Sequence, residues 1–596
     1  MVAMVTGLHE IVFFPMIYQS EASFIERIAQ WGCWDEAAGL FDRLDGLPPA
    51  PFCQLDGISR QDIVRYGENV FYHPFVQRFL YGHGDNQTPV RVWQRKNGPA
   101  RLRLRLMEKD EGSCWQRDAV ADFQVCRTSL YWFNLDEGAN EATATPQERF
   151  GIAILALEIA KTDQPMAVQY AQELLDRFRR IYPPYFSKGR GGRIPYEIEW
   201  QDAYSQHCHN APPSRTDDRR CLDWVKKHHN TRVSYPVLEH WRWLLANVWE
   251  DAESIKAMEG LTIMEDERLP LMAWIACDDP RALTRQDFVR LCFADEGGRS
   301  DAYPYAPNFL ADFDANHCYD RYWVEQPAGA HDWMSTRFMT SGYAFVTVGN
   351  NDPHFYADGT SGLLSHFRNH YFLMGLILHF QKTALLAFSD RLSGNVTQLA
   401  AAKQCGQQGA KDIRRSLLHF TSRYWFPDLT SQLPGPGTPD LWRHKLRLTS
   451  LCEQVMGEAR ELNEWLDMEN EQQLAQTTAR LTTVATLGLA ASLAVATLGS
   501  DIAVLPSTGT GLVDSLVNAT LVFAGWFGLT WMVVKHSRKI HLLFEKLASG
   551  KRPDSYPVAR IEHVRQLQKF PHRGSVTRCR LHAIDLNCGH VFPHSG

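Results

Sequence analysis

Residues 481–499, LTTVATLGLAASLAVATLG, and residues 516–534, LVNATLVFAGWFGLTWMVV, are two runs of nineteen residues without a charge. About 20 helical residues cross the hydrocarbon core of a bilayer. Each run therefore has spanning length, and Arg480 and Lys535 flank the pair. The connection 500–515 holds Asp501 and Asp514 but no Lys or Arg, whereas Lys535, His536, Arg538 and Lys539 follow the second run directly. Positive charge is retained on the cytoplasmic side. The expected topology is two spans in a cell inner membrane, with a short outer loop and both termini cytoplasmic. The competing reading of each run is a helix buried in a protein core.

Upstream of the first run, Thr438, Pro439 and Asp440 form a helix start, with Thr438 as the expected N-cap. A stretch without proline follows, with Leu441, Leu448, Leu451, Val455, Leu462, Leu466 and Leu474 at steps that keep one apolar stripe on one side. No break signal separates this stretch from residue 481. The expectation is a stalk helix that continues into the membrane.

Composition agrees with a small membrane part on a large soluble body. Of 596 residues, 44% are hydrophobic, and the net charge is −6. The mean hydropathy is −0.32 and the isoelectric point about 6.5. A dedicated nucleic-acid binder is usually basic, so no nucleic-acid partner is expected. The 13 cysteines are odd in number and contain no Cys-x-x-Cys pair, which suits reduced thiols rather than a disulfide framework.

The N-terminal part alternates candidate strands, at 8–14, 102–106, 123–130, 152–159, 196–200, 271–275 and 343–348, with candidate helices. The helices include 165–180, with Thr162 or Asp163 as its cap, and 236–250. This interleaving predicts an α/β or α+β layer. Residues 370–388 are apolar, but His379, Gln381 and Lys382 are costly in hydrocarbon, so this segment reads as a buried helix packed on the stalk. A further helix is expected over 413–429. The predicted division is a cytosolic α/β domain over 1–355, with a split near 182–193, then a helical hairpin and stalk over 356–480. Two transmembrane helices over 481–534 and a basic tail over 535–596 complete it.

Small and hydroxylated residues line one side of the first run: Thr483, Thr486, Ala490 and Thr497, leading to Ser500 and Asp501. Hydroxyls facing a symmetry axis replace part of an ion's water shell, and a ring of Asp501 carboxylates attracts cations. The same residues also suit close helix packing. Glu461, Glu464, Asp467, Glu469 and Glu471 end the stalk. Around an axis they would collect a divalent cation, the one metal species expected; singly they are a solvated face. Two Cys/His groups carry weaker metal signals. Cys579, His582, Cys588 and His590 fit no standard zinc spacing, and His207, Cys208, His209 and Cys221 are looser still. The glycine-rich 189–193 (GRGGR) lacks the Walker pattern. With no nucleophile elbow, dinucleotide fingerprint or kinase signature, no enzyme is expected.

The order of these parts resembles the CorA family of two-span divalent-cation transporters and channels, most clearly over 441–539. The local wording LNEWLDMEN at 462–470 adds to the likeness. The resemblance implies a homopentamer whose first span lines the pore and whose cytosolic domains form a funnel responsive to an ion or ligand. The family's Gly-Met-Asn stands here as Gly499-Ser500-Asp501, so only the glycine matches. The expected function is an oligomeric membrane cation channel or transporter gated by its cytosolic domain. The alternative is a membrane-anchored sensor or effector whose N-terminal domain binds an unidentified cytosolic signal.

Overall fold

The computed structural model describes residues 4–18, 21–37, 66–67, 70–82, 90–96, 98–106, 120–135, 151–161, 164–182, 194–195, 197–202, 208–211, 237–246, 261–323, 332–401, 405–432 and 437–501, with 532 and 536. The chain divides into two units, Met1–Glu464 and Trp465–Gly596.

The first unit is built on one mixed sheet. Its strands are β1 (Met4–Tyr18), β2 (Trp34–Glu36), β3 (Val90–Arg95), β4 (Pro99–Arg105), β5 (Val120–Asn134), β6 (Gly151–Lys161), β7 (Met166–Ala167), β8 (Glu197–Asp202), β9 (Cys208–Ala211), β10 (Leu261–Ile263), β11 (Leu271–Cys277), β12 (Cys318–Tyr319), β13 (Thr336–Thr340) and β14 (Ala344–Asn350). The main order is β12-β13-β14-β11-β1-β6-β5-β4-β8-β9. β11 and β14 run parallel, and β1 lies between β6 and β11, antiparallel to both. Strands from both sides of 182–193 thus share a single sheet.

Burial follows the side-chain pattern. β6 reads GIAILALEIAK and is buried at every position, as a strand covered on both faces must be. β4 instead alternates: Leu102 and Leu104 are buried, while exposed Arg103 pairs with Asp122 at 2.8 Å. Two hydrophobic cores result. One joins Leu8, Val12, Phe14, Leu155 and Leu157 to the helices Val168–Arg177, Glu239–Ala246 and Arg285–Phe293. The other joins Ile11, Phe13, Ile154 and Ala156 to helix Phe372–Ala401, helix Cys405–Arg423 and Trp442. The unit is an α/β fold with helices on both faces of its sheet.

Several local expectations differ from the structure. The helix expected over 165–180 begins at Val168 because Met166 and Ala167 pair with β1. Its N-cap is Ala167, with no side-chain cap bond, and Thr162 and Asp163 lie outside the described residues. The helix expected over 413–429 runs instead over Cys405–Arg423. Helix Thr438–Lys445 is capped by Gly437, which makes Thr438 its first residue rather than its cap. The stalk is also not one rod from Thr438, because Arg447 takes the left-handed region at φ 55°. Helix Leu448–Asp501 then continues for 54 residues.

Among the described residues, the stretch Leu363–Gly394 is long and apolar enough to cross a membrane, and most of its apolar part is buried inside the fold. Two of its polar groups have partners: Lys382 donates to Glu265 at 3.1 Å, and Gln381 donates to the Tyr424 carbonyl at 2.8 Å, whereas buried His379 has neither ring nitrogen hydrogen-bonded among the described residues. This is a core helix. Its neighbours are β1, β6 and helix Cys405–Arg423, with Ser389 reaching Glu458 at 3.4 Å.

Candidate functional site

Glu158 is the only charged residue among the first ten of β6, and it is fully buried. A lone carboxylate there would carry a heavy desolvation cost. Three elements meet that cost. His9 of β1 places Nδ1 3.2 Å from Glu158 Oε1. Arg127 of β5 places a guanidinium nitrogen 3.4 Å from Oε2, and Arg368 donates from Nε to Oε1 at 2.5 Å.

Two backbone irregularities deliver these arginines. In β5, Val125 pairs with Ile159 and Arg127 with Glu158, so Cys126 is an extra residue, a β-bulge. The bulge exchanges the faces of the strand. Ala121 and Phe123 precede it in the first core, whereas Leu130 and Trp132, of opposite parity, occupy that core after it. Arg127 is thereby turned to the face of Glu158. Arg368 lies in the π-helical turn Phe367–Tyr371 that leads into helix Phe372–Ala401. The carbonyl of Arg368 accepts from Arg127 at 2.9 Å, and the Arg127 guanidinium sits 3.9 Å over the Phe372 ring.

Burial works to push the Glu158 carboxyl up, but Arg368 first, then Arg127 and His9, hold it well below the usual carboxylate range. Burial lowers His9 despite its contact with Glu158, so its ring is neutral near pH 7. Burial, reinforced by Glu158, pushes the Cys126 thiol up to about 12. The cluster is thus one carboxylate against two guanidiniums, with a neutral imidazole and a thiol beside it. It can fix the helical layer to the sheet, and its donor atoms suit a metal: one each from His9, Cys126 and Glu158 lie within 4.8 Å of one another.

On the other face of β1, Glu10 is fully buried and neither carboxyl oxygen has a hydrogen-bond partner among the described residues. Burial raises it to about 8, against the pull of Arg179. Arg179, itself fully buried, donates to the carbonyls of Ala294 and Leu269 at 3.0 and 3.4 Å.

The residues singled out in the sequence fall elsewhere. Thr483, Thr486, Ala490, Thr497, Ser500 and Asp501 all lie on helix Leu448–Asp501. Thr483 is half-buried and donates to the Ala479 carbonyl at 2.8 Å; nothing is described of the other five side chains. Glu461, Glu464, Asp467 and Glu471 are exposed, and Glu469 is half-exposed. Cys208 and His209 stand on β9, opposite Gln201 and Trp200. His207, Cys221, the stretch 189–193 and the group Cys579, His582, Cys588 and His590 lie outside the described residues. The Glu158 cluster escaped the sequence reading, although a lone Glu inside GIAILALEIAK was its signal.

No family model matches the chain, and comparison with curated proteins and with solved structures found no match.

Proposed function

We propose that the chain is a CorA-like membrane cation channel or transporter that works as a symmetric homo-oligomer. Its cytosolic α/β domain would gate the flow of a divalent cation down its gradient. The observation that supports this most is helix Leu448–Asp501. It has 54 residues. It starts among core residues at Leu448 and Val455, passes through an exposed acidic stretch, and continues unbroken into the uncharged run that begins at Leu481. Leu474 and Leu481 are 68% and 66% exposed, an arrangement costly in water and suited to lipid or to neighbouring copies. The order of sheet domain, helical pair and long helix is also that expected of the family.

In this reading no bond is made or broken. Asp501 attracts the cation at the outer mouth, the hydroxyls of Thr483, Thr486 and Thr497 face the path, and the stalk carboxylates receive the ion inside. Cation flux into liposomes carrying the purified full chain tests this. Asp501→Asn is expected to lower the flux about tenfold or to change its ion preference. Flux that is identical in the two proteins removes Asp501 from the path, and no flux from either overturns the reading.

A further inference from the structure

The Glu158 cluster has more donor chemistry than an ion pair requires. Burying a carboxylate against two arginines needs neither a thiol nor an imidazole at the same point. Yet the bulge in β5 sets Cys126 there, and β1 contributes His9. We propose that His9 Nδ1, Cys126 Sγ and Glu158 form a binding site for a thiophilic divalent cation of the zinc class, and that Arg368 competes with the metal for Glu158.

The donor set fits that class. Zinc takes sulfur at about 2.3 Å and nitrogen or oxygen at about 2.0–2.2 Å, so donors around one ion stand roughly 3–4 Å apart. His9 Nδ1 and Glu158 Oε1 are already 3.2 Å apart, and the thiol sulfur lies within 4.8 Å of a ring nitrogen of His9 and a carboxylate oxygen of Glu158. A rotation of Cys126, which is half-buried at the bulge, closes the remaining distance. Three protein ligands leave a fourth position for water.

Charge decides how the metal enters. With Arg368 in place the buried group holds two guanidiniums and one carboxylate, a net charge of plus one. Arg368 is the more accessible arginine, with 26% of its side chain exposed against 7% for Arg127. If Arg368 turns out to solvent and the metal enters, the thiol loses its proton to water, as metal-bound cysteine does. The ion, the carboxylate, the thiolate and Arg127 then again sum to plus one. The exchange leaves the buried charge unchanged and frees the turn Phe367–Tyr371 from its tie to β6. This site lies within Met1–Glu464 and does not depend on the transport reading.

Cobalt(II) titration of the purified full chain tests the proposal, because cobalt bound to a thiolate gains a charge-transfer absorption. Cys579 and Cys588 offer other thiols, so the titration is run in a Cys579→Ser/Cys588→Ser background. A saturable band is expected. Cys126→Ser should abolish it, and Arg368→Gln should lower the half-saturating cobalt concentration about tenfold, with zinc displacing cobalt in each. Should Cys126→Ser fail to fold, His9→Gln replaces it and should keep the band while raising half-saturation at least about tenfold. A band that survives Cys126→Ser, an affinity unmoved by His9→Gln, or no band in the Arg368→Gln chain overturns the site.

Discussion

Glu10 and Glu158 sit on neighbouring strands, equally buried, and their protons behave in opposite ways. Glu158 has a depressed value because Arg368, Arg127 and His9 outweigh its burial. Its contribution to stability is present above the unfolded value of about 4.5 and lost as pH falls below it. Glu158→Gln leaves buried Arg127 and half-buried Arg368 without their carboxylate and should cost about 3–5 kcal/mol at pH 7, read by denaturant unfolding. Glu10, raised to about 8, holds a proton in the folded chain that the unfolded chain releases near 4.5. Its presence therefore lowers stability progressively as pH rises from about 4.5 to about 8. Glu10→Gln should raise the melting temperature at pH 8 while leaving it nearly unchanged at pH 5. An equal shift at both pH values would mean that Glu10 is not protonated in the fold. Neither behaviour was legible beforehand, because a single Glu in an apolar strand does not announce whether a guanidinium waits across the sheet.

At the scale of elements, the apolar runs were legible and their irregularities were not. Residues 152–159, apolar but for Glu158, and the wholly apolar 271–275 read as strands because a run of that length fits a strand buried on both faces. The bulge at Cys126 and the π-turn at Phe367–Tyr371 are set by what they must reach across the fold, which no local periodicity carries. The stalk break at Arg447 was hidden likewise, since arginine is an ordinary helix former. In helix Thr438–Lys445 the large buried apolar side chain is Trp442. Trp442 is 1% exposed and stacks on Phe345 at 4.8 Å between ring centroids. A Cβ at Gly375 would come within 2.6 Å of Trp442, so the glycine is the notch that admits the indole. Trp442→Ala should destabilise the fold by about 3–5 kcal/mol. Gly375→Val should cost about 1–3 kcal/mol by overpacking, and in combination with Trp442→Ala it should cost less than alone. Additive losses in a double-mutant cycle would mean the two do not meet.

At the scale of the whole molecule, the α/β character of the first unit follows from its alternating runs. His379, Gln381 and Lys382 already marked 370–388 as a core helix, but not the groups they would meet. Residues 370–388 and 481–499 are both apolar, yet the first is wrapped by sheet and helices while the second begins with Leu481 two-thirds exposed. The difference lies in partners: Glu265 and the Tyr424 carbonyl meet Lys382 and Gln381. The proposal of a membrane channel rests on that contrast. Its most direct test is the distribution of the full chain after cells are broken and their membranes washed at alkaline pH. The account predicts that the protein stays in the membrane pellet and leaves it only with detergent, as an oligomer of several copies. Recovery of the intact chain as a monomer in the alkaline supernatant would contradict it.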